Sequence, residues 1–146
     1  MAMMLGKKTK GRKRHVIVDT LGLLIEVLVH SANIQDRVGA KYVVSKAKMN
    51  GATFRKGWVD GGYTGTLLPW AKETWNIDLE VVKRNELHVF KVLPKRWIVE
   101  RTLSWISRYR RLAKDVERYA KTVENWIKLA MTRLMLRRIE KEYTSC

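Results

Sequence analysis

The sequence predicts an α/β domain, and three observations predict it. Apolar stretches with a period of two alternate with stretches of helical period through the first half and beyond, the pattern of strands with interleaved helices. The last third, from about residue 95, reads as helix throughout. Charge is also uneven. Residues 1–14 carry six basic residues and no acid, residues 15–94 carry ten basic against eight acidic, and residues 95–146 carry fourteen against six. The organisation expected is a basic N-terminal arm over 1–14 and one domain over 15–146.

Taken in order, "RHVIVDTLGLLIEVLVHSA" reads as two strands joined at Leu21-Gly22. In its second half Ile25, Val27 and Val29 point one way and Glu26 and His30 the other, so Glu26 and His30 are expected on the solvent side. "QDRVGAKYVVSKAKMNG" reads as a helix with Asp36 as N-cap, Gly51 as its stop and Val43, Val44 and Ala47 on its apolar side. A short strand over roughly 54–59 leads into "WVDGGYTG". Asp-Gly is a hairpin signal, but a hairpin needs a returning strand, and "LLPWAKETW" instead favours a helix with Pro69 in its first turn. "IDLEVVKR" supplies another strand, and residues 85–94 read as loop. One helix is placed near 95–114 and a second from Thr122, as N-cap, to Ile139.

A chain of 146 residues with 46% hydrophobic content and six tryptophans has the material for one packed domain. Its formal net charge is +16, from 30 Lys and Arg against 14 acids. Such an excess repels itself unless a polyanion shares it, so nucleic acid is the partner expected. The single cysteine, Cys146, excludes a disulfide framework and points to a reducing compartment. There is no apolar span of membrane length, and "MAMMLGKKTKGRKRH" lacks the apolar segment of a secretory signal. His15, His30 and His88 lack the pairing of zinc ligands. Ser104 and Ser107 lack a His–Asp partner set. The glycines at 61, 62 and 65 make neither a dinucleotide fingerprint nor a P-loop.

The chemistry is expected on two carboxylates. Wound at 100° per residue, "KRWIVERTLSWISRYRR" puts Ile98, Val99, Thr102, Leu103, Trp105, Ile106 and Tyr109 on one broad arc. The other arc carries Arg96, Glu100, Arg101, Ser104, Ser107, Arg108 and Arg111, with Trp97 among them. Glu100 is thus a lone acid on a basic face. On spacing alone a solvated surface with an Arg96–Glu100 pair is the better account of it. Asp60 ends a strand and opens onto glycines that let a ligand approach. If the helix crosses the strand ends, Asp60 and Glu100 can converge on hard cations such as Mg²⁺. The arginines around them then meet DNA phosphates.

"KGRKRHVIVDTLGLL", "VDGGYTG" and "RWIVERTLSWISRYRRL", in that order, resemble the DDE transposases of bacterial insertion sequences, from about Gly6 to Ile139. The resemblance implies a ribonuclease H-like fold shared with retroviral integrases and ending in a helical pair. It also implies metal-dependent cleavage and strand transfer of double-stranded DNA at the element ends, with two Mg²⁺ or Mn²⁺ ions held by Asp, Asp and Glu. Asp60 matches the second aspartate and Glu100 the glutamate. Arg96 matches a DNA-holding arginine four residues before that glutamate, whereas the basic residue expected seven after it is Ser107, with Arg108 next door. Further phosphate contacts are expected from Arg101, Arg108 and Arg111. Lys83 and Arg84 at a strand end read equally as phosphate contacts or solvated ends, and Lys10, Arg12, Lys13 and Arg14 read either as a DNA-contacting arm or as the frayed entrance to a strand. The setting implied is the bacterial cytoplasm, on the nucleoid.

The family's first aspartate lies on a strand upstream of "KGRKRH", and residues 1–14 contain no acid. The first strand is therefore expected to be missing and the hairpin edge uncovered. Asp19 sits one strand too late to substitute and reads as a turn aspartate. The chain is expected to bind DNA and to cleave it poorly or not at all alone, acting with a second copy or an upstream transposase fragment. The competing reading is a non-enzymatic DNA-binding remnant or regulator of transposition. A ribonuclease acting on RNA requires a compensating acid that the sequence does not contain.

Overall fold

The computed structural model describes residues 2–9, 11–82 and 96–144, with side chains from Gly11 in the first part and from Trp97 in the last. The loop expected at 85–94 lies outside the described residues. The chain runs β1 (Ala2–Thr9), β2 (Arg12–Val18), β3 (Leu24–Ser31), α1 (Asp36–Met49), β4 (Lys56–Asp60), α2 (Leu67–Trp75), β5 (Asp78–Val82), α3 (Arg96–Ser107), α4 (Arg110–Ala113) and α5 (Ala120–Thr144), with a 3₁₀ turn at Gly61–Tyr63.

One five-stranded sheet has the order β3-β2-β1-β4-β5. β1, β2 and β3 form an antiparallel meander. β4 joins parallel to β1, and β5 parallel to β4. Parallel neighbours need crossover connections, and α1 and α2 are those connections. Alternation along the strands separates two cores. Ile17 and Val59 pack with Val43, Val44 and Ala47 of α1 and Leu67 and Ala71 of α2. Val16, Val18 and Trp58 pack with Val99 and Ile106 of α3 and Val123, Ile127 and Met131 of α5. Helices therefore cover both faces.

The expected gap at the front of the sheet is filled. Ala2–Thr9 pairs with β2 from Met3 opposite Val18 to Thr9 opposite Arg12, and on its other side with β4. Its lysines and Gly6 hid it from pattern reading, but a strand between two partners gains both ladders whatever its charge. Gly11 (φ +87°) makes the return into β2. The arm expected over 1–14 is thus largely strand.

Double coverage also corrects the orientation of β3. Glu26, expected toward solvent, is 2% exposed, and His30 stacks on His15 with ring centroids 4.7 Å apart. A register shift at Ile17/Val18 turns Ile25 away from Val27 and Val29 and into the α1 core. Asp19 is a turn residue, as read: its Oδ1 accepts from the backbone N–H groups of Leu21 and Leu23, each at 2.8 Å.

The helix expected over 95–114 is two. Ser107 Oγ donates to Leu103 O at 2.8 Å, a bond that competes with the helical ladder. Tyr109 then adopts an extended conformation and donates its hydroxyl to Ala130 O at 3.3 Å. α5 starts before Thr122 and runs past Ile139. Tertiary packing of Val123, Ile127, Ala130 and Met131 fixes it, so no side-chain cap at Thr122 is needed.

Candidate active site and its surroundings

Asp60 is the last residue of β4 and the N-cap of the 3₁₀ turn, its Oδ1 accepting from Gly61 N–H at 2.8 Å. Trp58, two residues earlier, packs in the α3 core, and Val59 in the α1 core. With a period of two, Asp60 lies on the face of the sheet that α3 covers. A Cβ added to Gly61 or Gly62 meets nothing within 4 Å among the described residues, so the turn that follows Asp60 is open at these two positions. Val82 of β5 is its register partner on one side. On the other side Met4 lies opposite Val59, so the next step along β1 beside Asp60 is Leu5. β1, "AMMLGKKT", contains no acid at all.

Glu100 lies on the exposed side of α3, with Val99 buried beside it. Thr102 Oγ1 donates to Gly22 O at 2.6 Å, and Arg101 Nη2 to Leu21 O at 2.7 Å. A Cβ on Gly22 sits 2.9 Å from Thr102 Oγ1, and Gly22 has φ +80°, so only glycine fits this contact. These bonds lock α3 across the β2–β3 turn and set the orientation of Glu100. Among the described residues no group of three His, Cys, Asp or Glu is arranged to hold a metal ion.

Several cations expected to reach DNA bond to other groups of the protein, and one of them, Arg14, is buried. Arg101, besides its bond to Leu21, lies between the rings of Trp97 and Trp105, 4.6 and 4.8 Å from their centroids. Arg12 donates to Asp115 at 3.2 Å and to the carbonyls of Glu117 and Arg118. Lys13 bonds Ile34 O and pairs with Asp36 at 2.9 Å. Arg14 is 3% exposed and donates to Leu112 O at 2.7 Å. A guanidinium buried that deeply cannot also meet a phosphate, so Arg14 is corrected from DNA contact to internal strap. Arg111 pairs with Glu117 at 3.3 Å and stacks on Trp126. Arg108 is exposed. Lys10, Lys83 and Arg84 lie outside the described residues, as does the side chain of Arg96.

A cluster that sequence reading missed lies below the 3₁₀ turn. His15 is fully buried, with Nδ1 2.8 Å from the Tyr63 hydroxyl, and stacks on His30. Burial, then the neighbouring His30, lowers the His15 pKa to about 4. Burial, with Asp36 and Asp60 nearby, raises that of Tyr63. His15 and Tyr63 are 48 residues apart, and neither carries a local signal of the pairing. The three rings anchor the turn that Asp60 caps.

Gly39 of α1 makes room for this stack: a Cβ there sits 2.3 Å from His30 Nε2 and 2.5 Å from His15 Nε2. Gly→Ala inside a helix ordinarily gains about 1 kcal/mol. Here overpacking wins, and Gly39→Ala is expected to destabilise the protein by about 1–3 kcal/mol. Urea unfolding checks the sign; an unchanged or raised midpoint means the stack is not tight against α1.

This sheet order with helices on both faces is that of the ribonuclease H-like fold. The chain matches the catalytic core domain of BIV integrase with a TM-score of 0.59 at 15% identity, over 99% of this chain and 96% of that one. It also matches a chain of the simian T-cell lymphotropic virus intasome in complex with PP2A regulatory subunit B56 gamma, with a TM-score of 0.58 at 16% identity, over 89% of this chain and 45% of that one. At these identities the likeness establishes the fold. The family model of the transposase DDE domain matches residues 5–135, and the chain belongs to that family. A comparison with curated proteins finds no match.

Proposed function

We propose that this chain is the catalytic-domain portion of a bacterial insertion-sequence transposase that holds double-stranded DNA at the element ends but does not cut it by itself. Membership of the transposase DDE family supports a role in transposition. The observation that carries the second half is β1: the strand beside Asp60 offers no carboxylate. Asp60 and Glu100 alone suit one Mg²⁺ or Mn²⁺ completed by substrate phosphates. They do not furnish the donors of a two-metal centre that stabilises both attacking and leaving oxygens. The chain's own residues position the DNA instead. Arg108, with Arg96, Lys10, Lys83 and Arg84, supplies the phosphate contacts, because Arg12, Lys13, Arg14 and Arg101 are committed internally. The place of action is the nucleoid.

A second reading, a non-enzymatic regulator that forms mixed oligomers with an active transposase or with a fragment carrying the missing acid, draws on the same feature of β1. The test is a gel-shift and cleavage assay on duplex element ends, with Mg²⁺ and with chelator. DNA is expected to be retained and uncut, with affinity unchanged in the Asp60→Ala/Glu100→Ala double variant. Arg108→Ala is expected to lower the salt dependence of binding by about one phosphate contact. Efficient metal-dependent strand cleavage, abolished by Asp60→Ala, overturns the reading and makes the chain a complete enzyme.

A further inference from the structure

We infer that the groove between α4 and α5 is a docking site for an acidic amphipathic helix of a partner protein. This goes beyond the proposed DNA function. The groove has a volume of about 970 Å³ and runs along α5 from Trp126 to Glu140. At 1.5 Å per residue that is about 20 Å, or four helical turns. Leu129 and Leu136, two turns apart on α5, are each 60% exposed on its floor. Arg108 and Arg110 rim one side and Arg133 and Arg137 the other. None of these four arginines is ion-paired among the described residues.

Charge and shape together select the occupant. Arg133 and Arg137 stand four apart on one helix, an arrangement that is unfavourable unless an anion is shared between them. An apolar floor with an arginine rim suits a helix with a leucine-type stripe flanked by carboxylates. A second copy of this chain brings the same arginines and a charge of +16, so like-charge repulsion opposes self-docking here. Duplex DNA satisfies the rim with its phosphates but leaves the leucine floor unused.

The test is fluorescence anisotropy of the whole chain with a labelled 20-residue probe peptide bearing leucines at i, i+3 and i+7 spacing and glutamates on both flanks. Its controls are a scramble of the same composition and the same stripe with lysine flanks. The striped acidic peptide is expected to bind at least about tenfold more tightly than the scramble. That advantage is expected to vanish in Leu129→Ser/Leu136→Ser, whose exposed positions leave the thermal midpoint unchanged. Equal binding of stripe and scramble, binding of the lysine-flanked peptide, or an advantage that survives the double substitution each overturn the inference. So does a loss of duplex-DNA affinity in the same variant, which makes the groove a DNA surface. So does concentration-dependent dimerisation abolished by the two serines, which makes it a self-interface. DNA retention by the double variant is read separately, so failure of the docking inference leaves the proposed function standing.

Discussion

Glu124→Ala is expected to cost about 3–5 kcal/mol, because it breaks a buried charge network from one side. Glu124 is 4% exposed. Its Oε1 accepts from Val29 N–H at 2.9 Å, and its Oε2 accepts from Lys46 Nζ at 2.7 Å. Lys46 also donates to Val27 O at 2.8 Å, and Glu26 Oε1 accepts from Val27 N–H at 2.9 Å. β3 is the outer strand of the sheet, so these side chains satisfy backbone groups that a further strand would otherwise pair with. Alanine strands Val29 N–H and removes a carboxylate from Lys46 together. It also opens the edge to pairing with another chain. Urea unfolding measures the first effect and light scattering the second. Glu124→Gln keeps an acceptor for Val29 and is expected to lose less. A loss below about 1 kcal/mol for Glu124→Ala, the worth of a surface pair, means the network is solvated.

Acid is expected to weaken the fold well before the carboxylates titrate. His15 has its pKa lowered from 6.5 to about 4 by burial, with His30 against it. The unfolded chain therefore binds a proton that the native state refuses between those two values. Stability from neutral His15 is fully present above pH 6.5, falls as pH drops through the window, and is lost by about pH 4. The full difference corresponds to about 3 kcal/mol at 1.36 kcal/mol per unit. Asp36 favours the charged ring and Lys13 opposes it, both more weakly than burial does. Glu26 acts in a different range. Burial pushes its carboxyl up, but bonds from Val27, Lys128 and Asn50 and the charge on Lys46 outweigh this and hold it low, so its contribution fades only below its ordinary value of 4.5. Urea midpoints at pH 7.5 and pH 5 separate the two. His15→Gln is expected to flatten the profile over that interval, and a wild-type midpoint that does not move across it rejects the assignment.

Much of the architecture was legible because local pattern and tertiary packing agree. α1, α2, β4 and β5 fall where hydrophobic period and turn residues place them, but Asp36 is the first residue of α1 and not its N-cap, which is Gln35 and makes no side-chain capping bond. Gly51 takes a left-handed φ of +88° just past α1, as a helix stop should. The candidate acids were legible for the same reason, since Asp60 ends a strand at a glycine turn and Glu100 rides the polar arc of an amphipathic helix. The fates of the cations were not. Arg12, Arg14 and Arg101 look like any basic surface residues in sequence. Their partners lie about 80 to 106 positions away, and no local rule reports a carbonyl at that separation.

The sequence by itself determined an α/β chain with two separated acids, a large positive charge and no acid in its first fourteen residues, because these follow from composition and short-range periodicity. Only the tertiary structure decided that residues 2–9 complete the sheet, that His15, His30 and Tyr63 meet beneath the Asp60 turn, and that Arg12, Lys13, Arg14 and Arg101 bond within the fold. Those outcomes depend on which faces are covered. A period-two pattern distinguishes the two sides of a strand but not water from a second layer of helices, and here the second layer is present.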